Sequence, residues 1–241
     1  MSSILLPSTR IGRPIGLVAV DRSLPLAHVW ALNTLGPRKL RDSAGNAHGV
    51  FGSGAGGTTG NYWVIGPNGW EILFDNSGTG TTESTKLAVG NSSGSAAPSG
   101  LAWTFYADLL FTPFANPKSI FGALSTGGIE IRVGSGNAIE LLKQSTVLIG
   151  SSSASLSPNI RYAIAVTYDG TNASFYINGN PAGTSVSPQT FTHSQYYLGY
   201  MGVGNERLEN GSRLGNVGFI NRVLSAQEIK LNLVNSNRVF R

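Results

Sequence analysis

The chain contains 241 residues, of which 32 are glycine and none is cysteine, and its net charge is +5 with only 12% charged residues. The length is that of a single domain, and the lack of cysteine excludes disulfides and thiolate metal sites. No stretch approaches the length and apolar character of a transmembrane span, and the basic residues form a single cluster at 38–41, so we expect neither a membrane nor a nucleic acid as partner.

Residues 1–24 are predicted to form an extended N-terminal arm outside the domain. Pro7 and Pro14 favour extended backbone over helix. Arg10, Arg13 and Arg22 give the arm its positive charge, and we predict that they contact a partner protein. A frayed terminus accounts for the same composition equally well.

Residues 25–241 have the pattern of one β domain. Short alternations of apolar and polar residues are separated by turns rich in Gly, Asn, Ser and Pro, which is typical of a two-sheet antiparallel sandwich. The predicted strands are 26–32, 62–65, 71–74, 101–111, 120–124, 129–133, 138–142, 146–149, 162–168, 174–177, 196–200 and 213–221. The glycine-rich segment 52–60, the segment 91–100 and the basic cluster 38–41 are predicted to be loops.

The clearest hairpin signal lies between residues 162 and 179. Apolar side chains alternate through 162–168, Asp169-Gly170 interrupts them, and the alternation resumes at 175–177 before Asn178-Gly179. Asp-Gly and Asn-Gly supply the positive φ angles that tight hairpin turns require. These residues therefore predict two paired strands with a turn at each end of the second strand.

A short helix is predicted after Ser225, because Ser225 and Glu228 have the spacing of a capping box. Together with the hairpin, this passage resembles the signature of laminin-G-like domains, at residues 166–170, 176–179 and 221–229. The turn at 42–49 is similar to another turn of that family. The resemblance implies an all-β, concanavalin A-like jelly roll of two antiparallel sheets with a short C-terminal helix, a fold that hosts lectins, hydrolases and structural modules.

Catalytic signals are weak throughout the chain. β-sandwich glucanases carry their carboxylates on one strand in a Glu-x-Asp-x-x-Glu pattern, which is missing here. Glu130 and Glu140 lie on separate predicted strands, and we expect each of them to stand alone. The three histidines, His28, His48 and His193, have no local partners for a catalytic triad. We therefore predict that the protein is not an enzyme.

The densest group of side chains suited to sugar stacking consists of His193, Tyr196, Tyr197 and Tyr200. Glycan-binding sites place aromatic rings beside polar groups on an accessible surface. Aromatic residues in strands are more often part of the core. The group is therefore a candidate glycan site, with core packing as the alternative.

Calcium is a second candidate ligand, because many laminin-G-like domains hold this ion. Asp42, Asn46 and Asp169 are the oxygen donors that could contribute. Asp42 and Asp169 are each predicted to serve a turn instead. We expect no resident cofactor or metal.

Residues 10–27 are similar to the lead-in of small laminin-G-like proteins encoded by tailed bacteriophages, which are generally assigned to virion structure. This resemblance implies a non-enzymatic protein on the virion surface, a capsid decoration or cement protein held through its arm by the major capsid protein or another virion protein. The alternative is a carbohydrate-binding host-recognition module of a tail fibre or spike, whose partner is a cell-surface glycan. Either form could act as a homo-oligomer.

Overall fold

A computed structural model describes the β domain but not the segment before it. The described residues are 26–34, 39–42, 49–51, 62–66, 69–74, 87–89, 102–114, 117–123, 127–143, 146–191, 196–199, 208, 210–220 and 222–234. The predicted arm, 1–24, and its boundary with the domain lie outside these ranges.

The described residues form sixteen strands followed by a short helical segment. The strands are β1 (Leu26–Thr34), β2 (Lys39–Asp42), β3 (Gly49–Phe51), β4 (Tyr62–Gly66), β5 (Gly69–Leu73), β6 (Leu87–Val89), β7 (Trp103–Leu110), β8 (Lys118–Ala123), β9 (Ile129–Val133), β10 (Ala138–Lys143), β11 (Val147–Ser155), β12 (Arg161–Tyr168), β13 (Asn172–Ile177), β14 (Asn180–Val186), β15 (Tyr196–Leu198) and β16 (Arg213–Ile220). The helical segment is α1 (Ala226–Glu228), which continues as one turn of π-helix (Ile229–Val234).

The strands pair antiparallel along one continuous path, β11-β10-β9-β8-β15-β6-β3-β2-β1-β16-β7-β12-β13-β14. We call the part β11-β10-β9-β8-β15-β6 the first sheet and the part β16-β7-β12-β13-β14 the second sheet. Strands β3, β2 and β1 connect the two sheets along the path, and the β4–β5 hairpin pairs with the beginning of β16.

The hydrophobic core lies between the two sheets. Phe121 of β8 contacts Phe105 of β7 and Phe219 of β16, with ring centroids 5.5 and 4.8 Å apart. All three side chains are fully buried, and their tilted geometry is one that aromatic pairs prefer. Side chains from two sheets that interdigitate in this way define a β-sandwich, as the sequence predicted.

The predicted hairpin between residues 162 and 179 is confirmed. β12 and β13 pair in register along their length. Asn178 and Gly179 have φ angles of 51° and 77°, and Gly170 has a φ of 98°. Two consecutive positive φ angles match the twist of a two-residue hairpin, so Asn178-Gly179 joins β13 directly to β14.

All twelve predicted strands are present, but four others were missed. The basic cluster 38–41, predicted as a loop, contributes most of β2, and Asp42 is the last residue of that strand rather than a turn residue. β14 begins with Asn-Pro and contains a glycine, a composition that disfavours strands. It lies at the end of the pairing path, where proline is tolerated because its missing N–H is not needed.

The C-terminal helical segment packs on the outer side of the second sheet. Ile229 of this segment and Leu224, which precedes α1, join Tyr106 and Ala165 in a second buried cluster. β7 is consequently buried on both faces, with Phe105 in the main core and Tyr106 under the helical segment. Neither helical stretch among the described residues is long and apolar enough to cross a membrane.

The predicted capping box is confirmed at the start of α1. The Glu228 backbone N–H donates to Ser225 Oγ, and the Ser225 N–H donates to Glu228 Oε2 at 2.9 Å. The hydrogen bond from Arg222 Nη2 to Glu228 Oε1, followed by the bond from the Ser225 backbone, lowers the pKa of Glu228 to about 2.

This pKa predicts that the C-terminal segment loosens in acid. A carboxyl whose folded pKa lies below its unfolded value stabilises the fold above the unfolded pKa, and this contribution is lost as the pH falls through the folded pKa. For Glu228 the loss falls between the ordinary value of 4.5 and about 2. Because the side chain is 36% exposed, we expect a contribution below about 1 kcal/mol.

The measurement is the free energy of unfolding of the natural protein and of Glu228→Gln from pH 7 to pH 2. The natural protein should be the more stable at pH 7, and the difference should shrink as the pH falls below 4.5. A difference that is independent of pH would contradict the role assigned to the carboxylate.

Candidate functional site

The side of the first sheet that faces away from the core carries the charged residues of β9 and β10. Ile129, Ile131 and Val133 are all in the core. Because successive side chains of a strand point to opposite faces, Glu130 and Arg132 point outward. Arg132 is 15% exposed on this side, whereas Glu130 is buried.

Two rows of side chains cross this side of the sheet. In the first row, Arg132 pairs with Ser119 on one side and with Glu140 on the other. Glu140 in turn pairs with Ser151. It alternates hydroxyl, guanidinium, carboxylate and hydroxyl groups over four neighbouring strands. A row of this kind offers both donors and acceptors in close succession.

The second row runs parallel to the first and is less polar. Gly122 pairs with both Tyr197 and Glu130, while Leu142 pairs with both Glu130 and Leu148. The row therefore brings one aromatic ring and two leucines beside a carboxylate. We call the two rows together the outer polar face, whose residues are Ser119, Gly122, Glu130, Arg132, Glu140, Leu142, Leu148, Ser151 and Tyr197.

Arg132 bridges the two carboxylates of the outer polar face. Its Nε donates to Glu140 Oε2 at 2.7 Å, and its Nη1 lies 4.0 Å from Glu130 Oε2. The expectation that Glu130 and Glu140 each stand alone was wrong. β9 and β10 are neighbours, and the register places both glutamates on the same face around one arginine.

The carboxylate of Glu140 is held in place by the backbone of the β9–β10 turn. A Cβ atom added to Gly134 would collide with this carboxylate, so the group packs directly over the glycine. Any larger residue at position 134 would displace it. Two contacts therefore position the Glu140 carboxylate: close packing against Gly134 and the hydrogen bond from Arg132.

Ser119 contributes a buried hydroxyl to the first row. The residue is 0% exposed, and its Oγ makes no hydrogen bond with any described residue. Buried hydroxyls in folded proteins almost always have a hydrogen-bond partner. Because Ser119 is fully buried, its hydroxyl is not open to solvent.

Of the four residues predicted to bind glycan, the structure places Tyr197. It lies on the outer polar face and is 6% exposed, while its neighbour Leu198 belongs to the core. Tyr196 lies in β15, but its side chain is outside the described part of the chain, as are His193 and Tyr200. The burial of Tyr197 fits the core-packing alternative, and the glycan role of the four residues stays a prediction.

Of the residues predicted as weak calcium ligands, the structure describes the side chain of Asp169 alone. Asp169 Oδ1 accepts the backbone N–H groups of Thr171 and Asn172 at 2.8 and 2.6 Å, so the carboxylate serves the hairpin turn. The bonds from the Asn172 side chain and backbone lower the pKa of Asp169. Asn46 and the Asp42 side chain lie outside the described residues, within which no three His, Asp or Glu side chains form a group that could hold a metal ion.

A second charged cluster lies on the outer side of the second sheet. Arg161 donates through Nη2 to Glu71 Oε2 at 2.9 Å, and its Nη1 lies 2.7 Å from Oε1. Arg213 Nη1 is 3.9 Å from the same carboxylate, which is only 2% exposed. Arg161 lies within 2.9 Å of both carboxylate oxygens, and the cluster ties the β4–β5 hairpin to the sheet. We therefore assign it a structural role.

Comparison with known families gives one match, to a laminin-G-type model described as the concanavalin A-like lectin/glucanases superfamily, over residues 102–230. This range contains most of the strands of both sheets and the start of the C-terminal segment. No curated protein matches the chain significantly in sequence.

Comparison with solved structures gives bacterial toxin domains and a protozoan enzyme. The binding domain of Paraclostridial Mosquitocidal Protein 1 is 16% identical with a TM-score of 0.64, over 88% of this chain and 52% of that one. The receptor binding domain of botulinum neurotoxin type G is 15% identical with a TM-score of 0.58, over 90% and 51%. Trypanosoma rangeli sialidase in complex with 2,3-difluorosialic acid is 14% identical with a TM-score of 0.56, over 89% and 33%.

These identities establish a shared fold and nothing finer. The chain spans about half the length of the two toxin domains and about a third of the sialidase.

Proposed function

The chain belongs to the concanavalin A-like lectin/glucanases superfamily, and from this membership we propose that it is a non-catalytic carbohydrate-binding module. The outer polar face is the proposed binding surface. The observation that carries the proposal is the row Ser119–Arg132–Glu140–Ser151, which places donors and acceptors side by side on the face that is not needed for the core.

The chemistry of this face suits a sugar. A pyranose presents neighbouring hydroxyls that both donate and accept, and it also has a less polar face of C–H groups. Glu140 supplies an acceptor and Arg132 a donor, and both side chains are partly exposed. Leu148, which is 54% exposed, supplies apolar surface in the parallel row. Sites for small polar ligands commonly combine a few fixed polar groups with such apolar walls.

The face is most accessible at its β11 edge. The side chains of Glu130, Arg132 and Glu140 are 1%, 15% and 18% exposed, and Leu148 on β11 is 54% exposed. Among these residues, exposure is greatest on β11. A ligand would approach over Leu148 and Ser151 and meet Glu140 and Arg132 at the deeper end.

The same geometry argues against hydrolysis. Glycosidases need one carboxyl as a proton donor and a second one facing it across the scissile bond. Here one guanidinium contacts both carboxylates, so Glu130 and Glu140 hold Arg132 in place instead of facing each other across an open gap. Binding without bond cleavage is the function that fits this arrangement.

The structural likenesses support binding more than capsid decoration. Two of the similar structures are a binding domain and a receptor binding domain by name. They favour the carbohydrate-binding alternative over the decoration role that the sequence suggested first. The virion location and the capsid partners stay predictions. The arm residues Arg10, Arg13 and Arg22 lie outside the described residues, so their role also stays a prediction.

We expect Glu140→Ala to weaken glycan binding at least about tenfold, because a hydrogen bond to a charged group contributes about 1.5–3 kcal/mol. The measurement is a glycan array with the natural protein, followed by calorimetric titration of the glycans that bind. Thr184→Ala is the matched control, since Thr184 is exposed on the second sheet and bonds only to Ser174 Oγ among described side chains. It should bind glycan like the natural protein.

Two results would contradict the proposal. One is that the natural protein binds none of the glycans on the array. The other is that Glu140→Ala and Thr184→Ala bind a glycan equally well while both remain folded by circular dichroism.

A further inference from the structure

We infer that Ser152 is a positioning residue for the proposed glycan site: it holds a bulge of β11 in the arrangement that brings Ser151 opposite Glu140. The inference rests on the proposed function, because the two residues that Ser152 positions belong to the proposed binding surface. Ser152 itself is only 6% exposed, so it acts on a sugar through its neighbours and not by direct contact.

The pairing of β11 with β10 is irregular beside Ser151. The register shifts between Ala138 and Glu140, so residues 152–154 of β11 face a single residue of β10. An insertion of this kind is a β-bulge, and bulges re-aim side chains at sheet edges and beside active sites. With regular pairing from Ala138 onward, Glu140 would face Ser153. The bulge therefore decides which serine joins the first row of the outer polar face.

A second bulge lies on the other side of Ser151 in the same strand. The register shifts again between Leu141 and Leu142, where Ile149 is the extra residue of β11. Ile149 belongs to the core, whereas Leu148 is 54% exposed. Because a shift of one residue exchanges the two faces of a strand, this bulge places Leu148 on the outer polar face. The accessible edge of the proposed site thus depends on the irregular register of β11.

The hydroxyl of Ser152 replaces the backbone partner that Ile139 loses at the first bulge. The Ile139 backbone N–H donates to Ser152 Oγ at 3.0 Å, and Ser152 Oγ donates to the Ala154 carbonyl at 2.6 Å. A serine hydroxyl can accept and donate at the same time. Ile139 is 1% exposed, and a buried N–H without a partner is costly. Ser152 therefore stabilises the bulge from within.

The serines on either side of Ser152 have different surroundings. Ser151 is partly exposed and pairs with Glu140 in the first row. Ser153 Oγ donates to the Ala182 carbonyl of β14 at 3.1 Å, so it contacts the second sheet. Of these three consecutive serines, Ser152 is the one whose hydroxyl bonds to the strand that carries Glu140. Ser153 consequently offers a matched control in the same strand.

The test compares Ser152→Ala, Ser152→Thr and Ser153→Ala in the full chain. Backbone hydrogen exchange is followed by NMR, and affinity is measured by calorimetric titration with the galactose-, glucose- or mannose-terminated oligosaccharide that binds most tightly on the array. In Ser152→Ala the Ile139 amide should exchange at least about fivefold faster and the affinity should fall about fivefold, as expected for one lost hydrogen bond. Ser152→Thr keeps the hydroxyl and should stay within about twofold of the natural protein in both measurements. Ser153→Ala removes a hydroxyl that does not bond to β10 and should stay within about twofold as well.

An unchanged affinity in folded Ser152→Ala would overturn the inference while leaving the proposed function in place. An equal loss in Ser153→Ala, or no recovery in Ser152→Thr, would also overturn it, because the effect would then not depend on the hydroxyl at position 152.

If Ser152→Ala does not fold, the Ile139 amide of the natural protein decides. Slow exchange there, together with normal binding by Ser152→Thr, supports the inference, whereas exchange as fast as in an unpaired amide overturns it. If none of the oligosaccharides binds the natural protein, the proposed function fails, and the positioning role fails with it.

Discussion

Replacing Phe219 with alanine is expected to lower the free energy of unfolding by about 3–5 kcal/mol. Phe219 is fully buried and contacts rings from both sheets, with centroid distances of 4.8 Å to Phe121, 5.2 Å to Phe105 and 5.5 Å to Trp103. Its removal leaves a cavity at the point where the sheets meet. Urea denaturation followed by tryptophan fluorescence gives the free energy directly.

The matched control is Val186→Ala, which also shortens an apolar side chain in a strand of the second sheet. Val186 is 73% exposed, so this change should cost less than about 0.5 kcal/mol. If Phe219→Ala were as mild as the control, the two sheets would not be held together by the cluster around Phe121.

Replacing Arg161 with methionine is expected to destabilise the protein by about 3 kcal/mol. Among the described residues, the change leaves the Glu71 carboxylate, which is 2% exposed, with only the more distant Arg213 at 3.9 Å. A buried charge that loses its partner costs more than the pair itself contributes. We place the effect at the lower end of the usual range because the Arg161 side chain is 19% exposed.

A double-mutant cycle separates the ion pair from the packing of the arginine chain. Glu71→Gln removes the charge that Arg161 neutralises, so the double variant should be less unstable than the sum of the two single variants by at least about 1.5 kcal/mol. A coupling free energy near zero would show that the contact between Arg161 and Glu71 does not hold the β4–β5 hairpin.

The local parts of this fold could be predicted because they depend on residues close together in the chain. Asn178-Gly179 has the positive φ angles that its sequence predicts, and Ser225 with Glu228 makes the capping box. Alternation marked β7, β9 and β12 correctly. These signals act over a few residues, where backbone sterics and hydrogen bonding leave few choices.

The missed strands depend on pairing with distant segments. β2 consists of Lys39 to Asp42, and it is a strand because it pairs with β1 and β3. β14 contains Pro181 and Gly183, yet it pairs with β13 across the Asn178-Gly179 turn. In both strands tertiary pairing outweighs the low intrinsic preference of the residues.

The sequence predicts only part of the outer polar face. The alternation in residues 129–133 already sends Glu130 and Arg132 to the side opposite to the isoleucines. What could not be read was the register of β10, which brings Glu140 opposite Arg132. The turn at 134–137 carries a signal for it, since Asn137 adopts a φ of 61° and Gly134 bonds to Ala138 across the turn. The positions of Ser119 and Tyr197 depend on contacts between distant strands and had no such local signal.

The central claim is that glycan binds on the outer polar face of the first sheet. An NMR titration of the full chain with an oligosaccharide that the array identifies tests it most directly, because each backbone amide reports its own surroundings. The account predicts that the largest shifts occur at Arg132, Glu140 and Ser151, and that the amides of Ser174 and Thr184 on the second sheet stay unchanged. Shifts confined to the second sheet, with none at Arg132 or Glu140, would contradict it.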